Sequence, residues 1–153
     1  GGFLAGNGWA QNDAKKEQKK LQGTWRLQKL ELPDEGPRKF FEEKGRVIIK
    51  GNKATFVVMD KDQKMKLAEF TLKPDPTKTP KAVDLTWDFL YIPPGEKKAE
   101  EEWKKTKGKK VTAIYSLDGD SLRIFAQQDQ KERPKKFPKK DGKGVIILKR
   151  EKP

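Results

Sequence analysis

From Val83 to Phe89 apolar and polar residues alternate without a break: Val83, Leu85, Trp87 and Phe89 share one parity, which Tyr91 continues, and Asp84, Thr86 and Asp88 the other. A period of two is that of a β-strand with one buried and one wetted face. Seven further strand-like runs occupy residues 24–32, 46–50, 53–59, about 64–73, 111–117, 121–126 and 145–149. Gly51-Asn52 and Asp118-Gly119-Asp120 are tight-hairpin signals between neighbouring runs. The stretch from Pro74 to Pro80, with a third proline at Pro76, predicts a surface turn, because proline cannot continue a central strand. In the first run Trp25 and Leu27 hold one parity and Leu30 and Leu32 the other, which predicts a bulge or strong bend near Gln28 and Lys29.

Helical signals are short and few. Residues 13–22 carry Asp13 as N-cap, good helix formers, Leu21 as an apolar contact and Gly23 as a stop. Pro37 followed by Arg38–Lys44 and ended by Gly45 predicts a second helix, with Phe40 and Phe41 side by side. Pro93-Pro94-Gly95 opens a polar insert to about Lys110, helix-prone around Lys97–Lys105, whose one large apolar residue is Trp103. Strands and helices do not alternate regularly, so a parallel sheet is disfavoured. The pattern predicts an all-β fold: an eight-stranded antiparallel up-and-down barrel, with short helices before and after the first strand. A flattened sandwich is the alternative.

At 153 residues the chain is long enough for one domain and one core. The domain is expected over residues 18–151, after a flexible leader at 1–17. Gly1–Gln11 reads either as a signal-peptide remnant with a cut after Ala10 or as a plain leader; the first reading implies an extracytoplasmic setting, periplasmic or secreted. No apolar run approaches the roughly 20 residues that a spanning helix needs.

Charge and composition narrow the chemistry. A formal net charge of +13 gives the molecule a field that attracts anions. Its cations are nearly all lysine, with arginine at positions 26, 38, 46, 123, 133 and 150 only, which favours a solvated coat over bidentate reading of phosphates or bases. The chain has no cysteine and no histidine, so disulfides, thiol nucleophiles and imidazole-based triads are excluded. Asp60 with Asp62 and Asp118 with Asp120 have the spacing of the first ligands of a calcium loop but lack the rest of the pattern, and both pairs sit in expected turns; no metal or cofactor is expected. Carboxylates such as Asp84, Asp88 and Glu100–Glu102 form no recognisable catalytic pair, so the protein is read as not an enzyme.

Gly23-Thr24-Trp25 heads the first strand, and Arg150 closes the last after Val145–Lys149. In a barrel whose ends meet, the ring can plug the narrow end while the guanidinium stacks over it, a structural pairing that keeps both off any ligand. A ligand would instead meet the aromatic face of Trp87, Phe89 and Tyr91, with Tyr115 and Phe56 as neighbours, beneath a lid of Phe40 and Phe41. The same residues could simply fill the core and plug the mouth. Lysine clusters at 97–110 and 131–143, interleaved with Trp103 and Phe137, fit a loose description of a polyanion-binding surface.

Five stretches taken together carry a family resemblance: Leu21–Trp25, Pro80–Thr86, Ile114–Leu122, Glu132-Arg133-Pro134 with Phe137, and Leu148-Lys149-Arg150. In this order, over about residues 18–151, they resemble an uncharacterised lipocalin-like domain family found largely in planctomycete bacteria. The insert from Pro93 to Lys110 is longer and more charged than that family's usual connection. The resemblance implies the barrel and the roles of Gly23, Trp25 and Arg150, and carries no activity with it. The expected function is therefore a non-catalytic, monomeric barrel that binds a small apolar or amphipathic ligand, the alternative being a basic module for anionic polymers such as nucleic acid or acidic polysaccharide.

Overall fold

Each strand pairs with two antiparallel neighbours. The computed structural model describes residues 13–30, 35–127, 132–139 and 144–152. Its strands follow chain order round a closed barrel: β1 (Gly23–Leu30), β2 (Gly45–Lys50), β3 (Lys53–Asp60), β4 (Gln63–Asp75), β5 (Lys81–Leu90), β6 (Lys110–Asp118), β7 (Ser121–Phe125) and β8 (Val145–Arg150), which returns to β1. Closure removes the sandwich alternative. Three helices accompany the described strands: α1 (residues 13–21), α2 (Glu35–Lys44) and α3 (Lys97–Thr106). Residues 1–12, Leu32 and the cluster members Lys131, Lys140 and Lys143 lie outside the described residues, and the expected signal remnant lies there with them.

Connectivity gives the barrel two unlike ends. The Gly51-Asn52, 76–80 and Gly119-Asp120 turns share one end with α1, the start of β1 and the end of β8; we call it the base. The opposite end, the mouth, carries α2, the Lys61-Asp62 turn, α3 and the β7–β8 connection.

The base is tied where the first and last strands meet. Trp25 pairs with Arg150 across β1 and β8, is fully buried, and donates its indole N–H to the Leu21 carbonyl of α1 at 2.9 Å. The Arg150 guanidinium carbon lies 4.3 Å from the Trp25 ring centroid. The same fork donates to the Gln22 and Lys20 carbonyls and, at 3.2 Å, to Asp120 in the β6–β7 turn. One side chain thus joins the last strand to α1 and a hairpin, a geometry that a lysine's point charge cannot reproduce. Gly23 makes room for it: its φ is +129°, and a Cβ there would stand 3.0 Å from an Arg150 nitrogen.

Three bulges bend the sheet. Gln28 is the extra residue of β1 against β8, within the segment where the sequence pattern changes parity. Leu67 is extra on β4 against β3, and Asp88 on β5 against β4. Two sequence expectations are corrected here. Pro74 belongs to β4 and pairs with Val83 instead of opening the turn. The Leu72 N–H points to the β3 side, donating to Asn52, so two residues on Pro74 faces the same side beyond Lys53, where β3 begins, and its missing N–H leaves no acceptor unpaired. The packed body also extends ahead of residue 18: Glu17 is only 3% exposed.

A second, smaller core lies outside the barrel wall. Ile114, Phe125 and Val145 are buried there beneath Phe137 and Ile147. Segment 132–139 is clamped by Arg133, which donates to the carbonyls of Val83 at 3.1 Å and Ala113 at 2.8 Å and to Asp84 at 2.6 Å. This covering layer explains why Ala113, Ile114 and Tyr115, three successive residues of one strand, are all buried.

Arg150→Lys, which keeps the charge and loses the fork, is expected to destabilise the protein by about 1–2 kcal/mol, and Trp25→Ala by about 3–5 kcal/mol. Urea unfolding measures both. A lysine variant as stable as the wild type would show that charge alone holds the base.

Candidate functional site

An apolar cavity of about 300 Å³ occupies the barrel interior. All eight strands and α1 contribute to its wall, among them Phe56, Phe70, Leu72, Trp87, Tyr115 and Leu122. Alternation puts these side chains inside: Phe56 is opposite Ala68 and Phe70 opposite Trp87, each a pair on the inner face. Volume persists because small residues, Ala54 and Ala68, stand where large ones would fill it.

The expected ligand face divides. Phe56, Trp87 and Tyr115 line the cavity. Phe89 and Tyr91 do not, because the bulge at Asp88 reverses the alternation of β5: Phe89 pairs with Glu69 on the outer face, under the Lys66 ammonium at 4.4 Å, and exposed Tyr91 lies past the strand's end. Asp88 itself is held outside, accepting from Thr71 at 2.5 Å and from Lys53 at 2.9 Å. Of the expected lid pair, Phe41 tilts against Phe56 at 5.7 Å and packs on the core, whereas Phe40 meets only its edge and is exposed. Gly45 lets α2 come this close, since a Cβ would collide with the Phe41 carbonyl at 2.4 Å. Trp25 and Arg150 are not among the lining residues.

A second cover, at the other side of the mouth, comes from the insert. Half-buried Trp103 of α3 stands edge-on to Trp87 at 5.9 Å, and Trp87 in turn packs on Phe70 at 4.2 Å. The insert is tied back onto β5 by the Trp87 N–H to Lys109 and the Gly108 N–H to Trp87. Trp103 therefore docks at the rim.

At the base the cavity meets one polar group. The Tyr115 hydroxyl donates to a Glu17 oxygen at 2.9 Å, and the Lys81 ammonium donates to the same oxygen at 2.9 Å. Burial pushes the Tyr115 phenol far above its ordinary pKa, reinforced by its hydrogen bond to Glu17 and by that carboxylate's charge. The hydroxyl is a committed donor, neutral at any physiological pH. Sequence reading missed Glu17; its signal was an acid four residues before Leu21, hence on the helix face that Leu21 turns toward the barrel. Among the described residues no group of three or more acidic side chains is arranged to hold a metal ion.

Compared with protein-family models, curated proteins and solved structures, the chain has no match.

Because the folded protein holds the Tyr115 proton more tightly than the unfolded chain, where a tyrosine ionises near pH 10, its contribution to stability is complete below about pH 10 and falls as pH rises further. Tyr115→Phe is expected to cost about 1–2 kcal/mol at pH 8 and to lessen the alkaline fall between about pH 10 and 11.5. Urea unfolding across that range checks it, and parallel pH profiles for the two proteins would contradict it.

Proposed function

We propose that this barrel is a non-catalytic, monomeric module that holds one small apolar or amphipathic molecule in its interior, and that it belongs with the lipocalin-like domains it resembles in sequence. The observation that carries the reading is the cavity. Its volume stands at the lower bound of small-molecule pockets, about 300–1,000 Å³, and its wall is aliphatic and aromatic. The cavity's one hydroxyl is already donated to Glu17, so a buried polar group on the ligand finds no free charged partner there. A ligand's polar end, where it has one, belongs at the mouth. Phe41 and Trp103 flank that mouth from two connections, each packed on a ring that lines the cavity. An extracytoplasmic setting fits the leader's composition and is part of the same proposal.

The rival reading, a basic surface for anionic polymers, loses two of its parts. Phe137 packs 6.3 Å from Phe125 beneath the Arg123 guanidinium, and Trp103 packs on Trp87, so both aromatics are engaged within the chain. What is left is lysine charge, which supports only nonspecific, salt-sensitive attraction.

Filling the cavity separates the readings. Ala54→Leu with Ala68→Leu is expected to weaken binding of a hydrophobic dye or medium-chain fatty acid at least about tenfold, while thermal stability holds or rises, since added methyl groups occupy empty volume. Saturable binding unchanged by the filled interior, or no saturable binding by the wild type, would overturn the proposal.

A further inference from the structure

The five large apolar side chains most exposed among the described residues, Phe40, Met59, Met65, Leu90 and Tyr91, each 36–45% exposed, all stand at the mouth. Scattered exposed apolar residues need no explanation, but confinement to one end of a barrel does. The register shows how four of them gather. β5 stops at Leu90, opposite Ala68, whereas β4 begins at Gln63, so the β3–β4 hairpin overshoots its neighbour by five residues, roughly 16 Å. Leu90 shares the inner face with the cavity-lining Ala68. Met65 pairs with Val58, which pairs with Gly45, whose missing Cβ would face Leu27 and Phe56; Met65 therefore also stands on the inner side, above the rim. Met59 lies near the hairpin tip, and the Tyr91 N–H is fixed to the Leu67 carbonyl at 2.7 Å.

Charge selects the partner. Directly after this apolar rim the chain carries seven lysines against three glutamates between Lys97 and Lys110, and α3 buries none of its residues. Lys61 and Lys64 are exposed on the hairpin, alongside Asp60 and Asp62. A second copy of this chain would bring lysine against lysine in a molecule of net charge +13. Exposed apolar side chains at the rim, flanked by lysines and leading into an apolar cavity, match an anionic bilayer, which supplies acyl chains for the first and headgroups for the second. We propose that the mouth docks on anionic lipid surfaces, with Met59, Met65, Leu90 and Tyr91 entering the headgroup boundary, so that an apolar ligand passes between bilayer and cavity without crossing water. Only the last clause rests on the proposed ligand-binding function; docking is measurable on ligand-free protein.

Co-sedimentation with vesicles tests it, using pure phosphatidylcholine and phosphatidylcholine containing about a quarter phosphatidylglycerol. The wild type is expected to bind the anionic vesicles and not the neutral ones. At about fivefold per lysine, Lys104→Gln with Lys105→Gln is expected to weaken binding about 25-fold, whereas Lys19→Gln with Lys20→Gln, an equal charge change on α1 at the base, leaves it within about twofold. Met65→Ser with Tyr91→Ser, both at exposed positions, is expected to weaken it about tenfold with unfolding midpoint unchanged. Equal losses from the two lysine pairs would mean undirected attraction of a polycation and overturn the proposal. So would full binding by the Met65/Tyr91 variant, or concentration-dependent self-association that this variant abolishes. The cavity-filled Ala54→Leu/Ala68→Leu protein is expected to dock as the wild type does, so failure of the ligand reading and failure of docking remain distinguishable.

Discussion

Closure of the sheet at β1 and β8 is the constraint on which the other features depend. A barrel has no free edge, but only if the first and last strands find each other across the whole chain, and that pairing must compete with the entropy of bringing distant segments together. Here the junction is reinforced by chemistry found at one point: a buried indole, a guanidinium over its face, and a fork that also holds α1 and the β6–β7 turn. Because Trp25 and α1 seal the base, the space above them is enclosed on one side, and the mouth is left as the place where the wall can open.

The base is sealed a second time by Glu17. Its buried carboxylate is compensated by Lys81 and by the Tyr115 hydroxyl, so a group that would be costly inside an apolar barrel becomes a tie between α1, β5 and β6. The consequence for function is a division of labour along the barrel axis. Polar bonds are concentrated at the base, apolar lining fills the middle, and apolar and basic side chains share the rim.

The fold was legible because alternation is a local property. The run from Val83 to Trp87, the hairpin pairs at Gly51 and Gly119, and the parity change near Gln28 each report backbone geometry within a few residues. What failed depended on neighbours that the sequence does not name. Phe89 turns outward because Asp88 is squeezed out of register with β4, and Pro74 is tolerated because β3, which begins at Lys53 opposite Thr71, does not extend to it. The site was half legible for the same reason: Phe56, Trp87 and Tyr115 line the cavity, Tyr91 falls beyond the strand, and Glu17 was lost among the lysines of a short helix. Whether the interior would hold space could not be read at all, since it turns on how Ala54 and Ala68 stack against Phe56, Phe70 and Trp87 once the barrel has closed.

The claim that a ligand lies inside the barrel is tested most directly by methyl-resolved NMR during titration with a small apolar ligand. The account predicts saturable shifts at Leu72, Leu122, Ile146 and Leu148, which line the cavity, with Ile114 and Val145 of the outer core left in place. Shifts confined to Ile114, Val145 and their neighbours under segment 132–139, with the interior methyls unmoved, would contradict it.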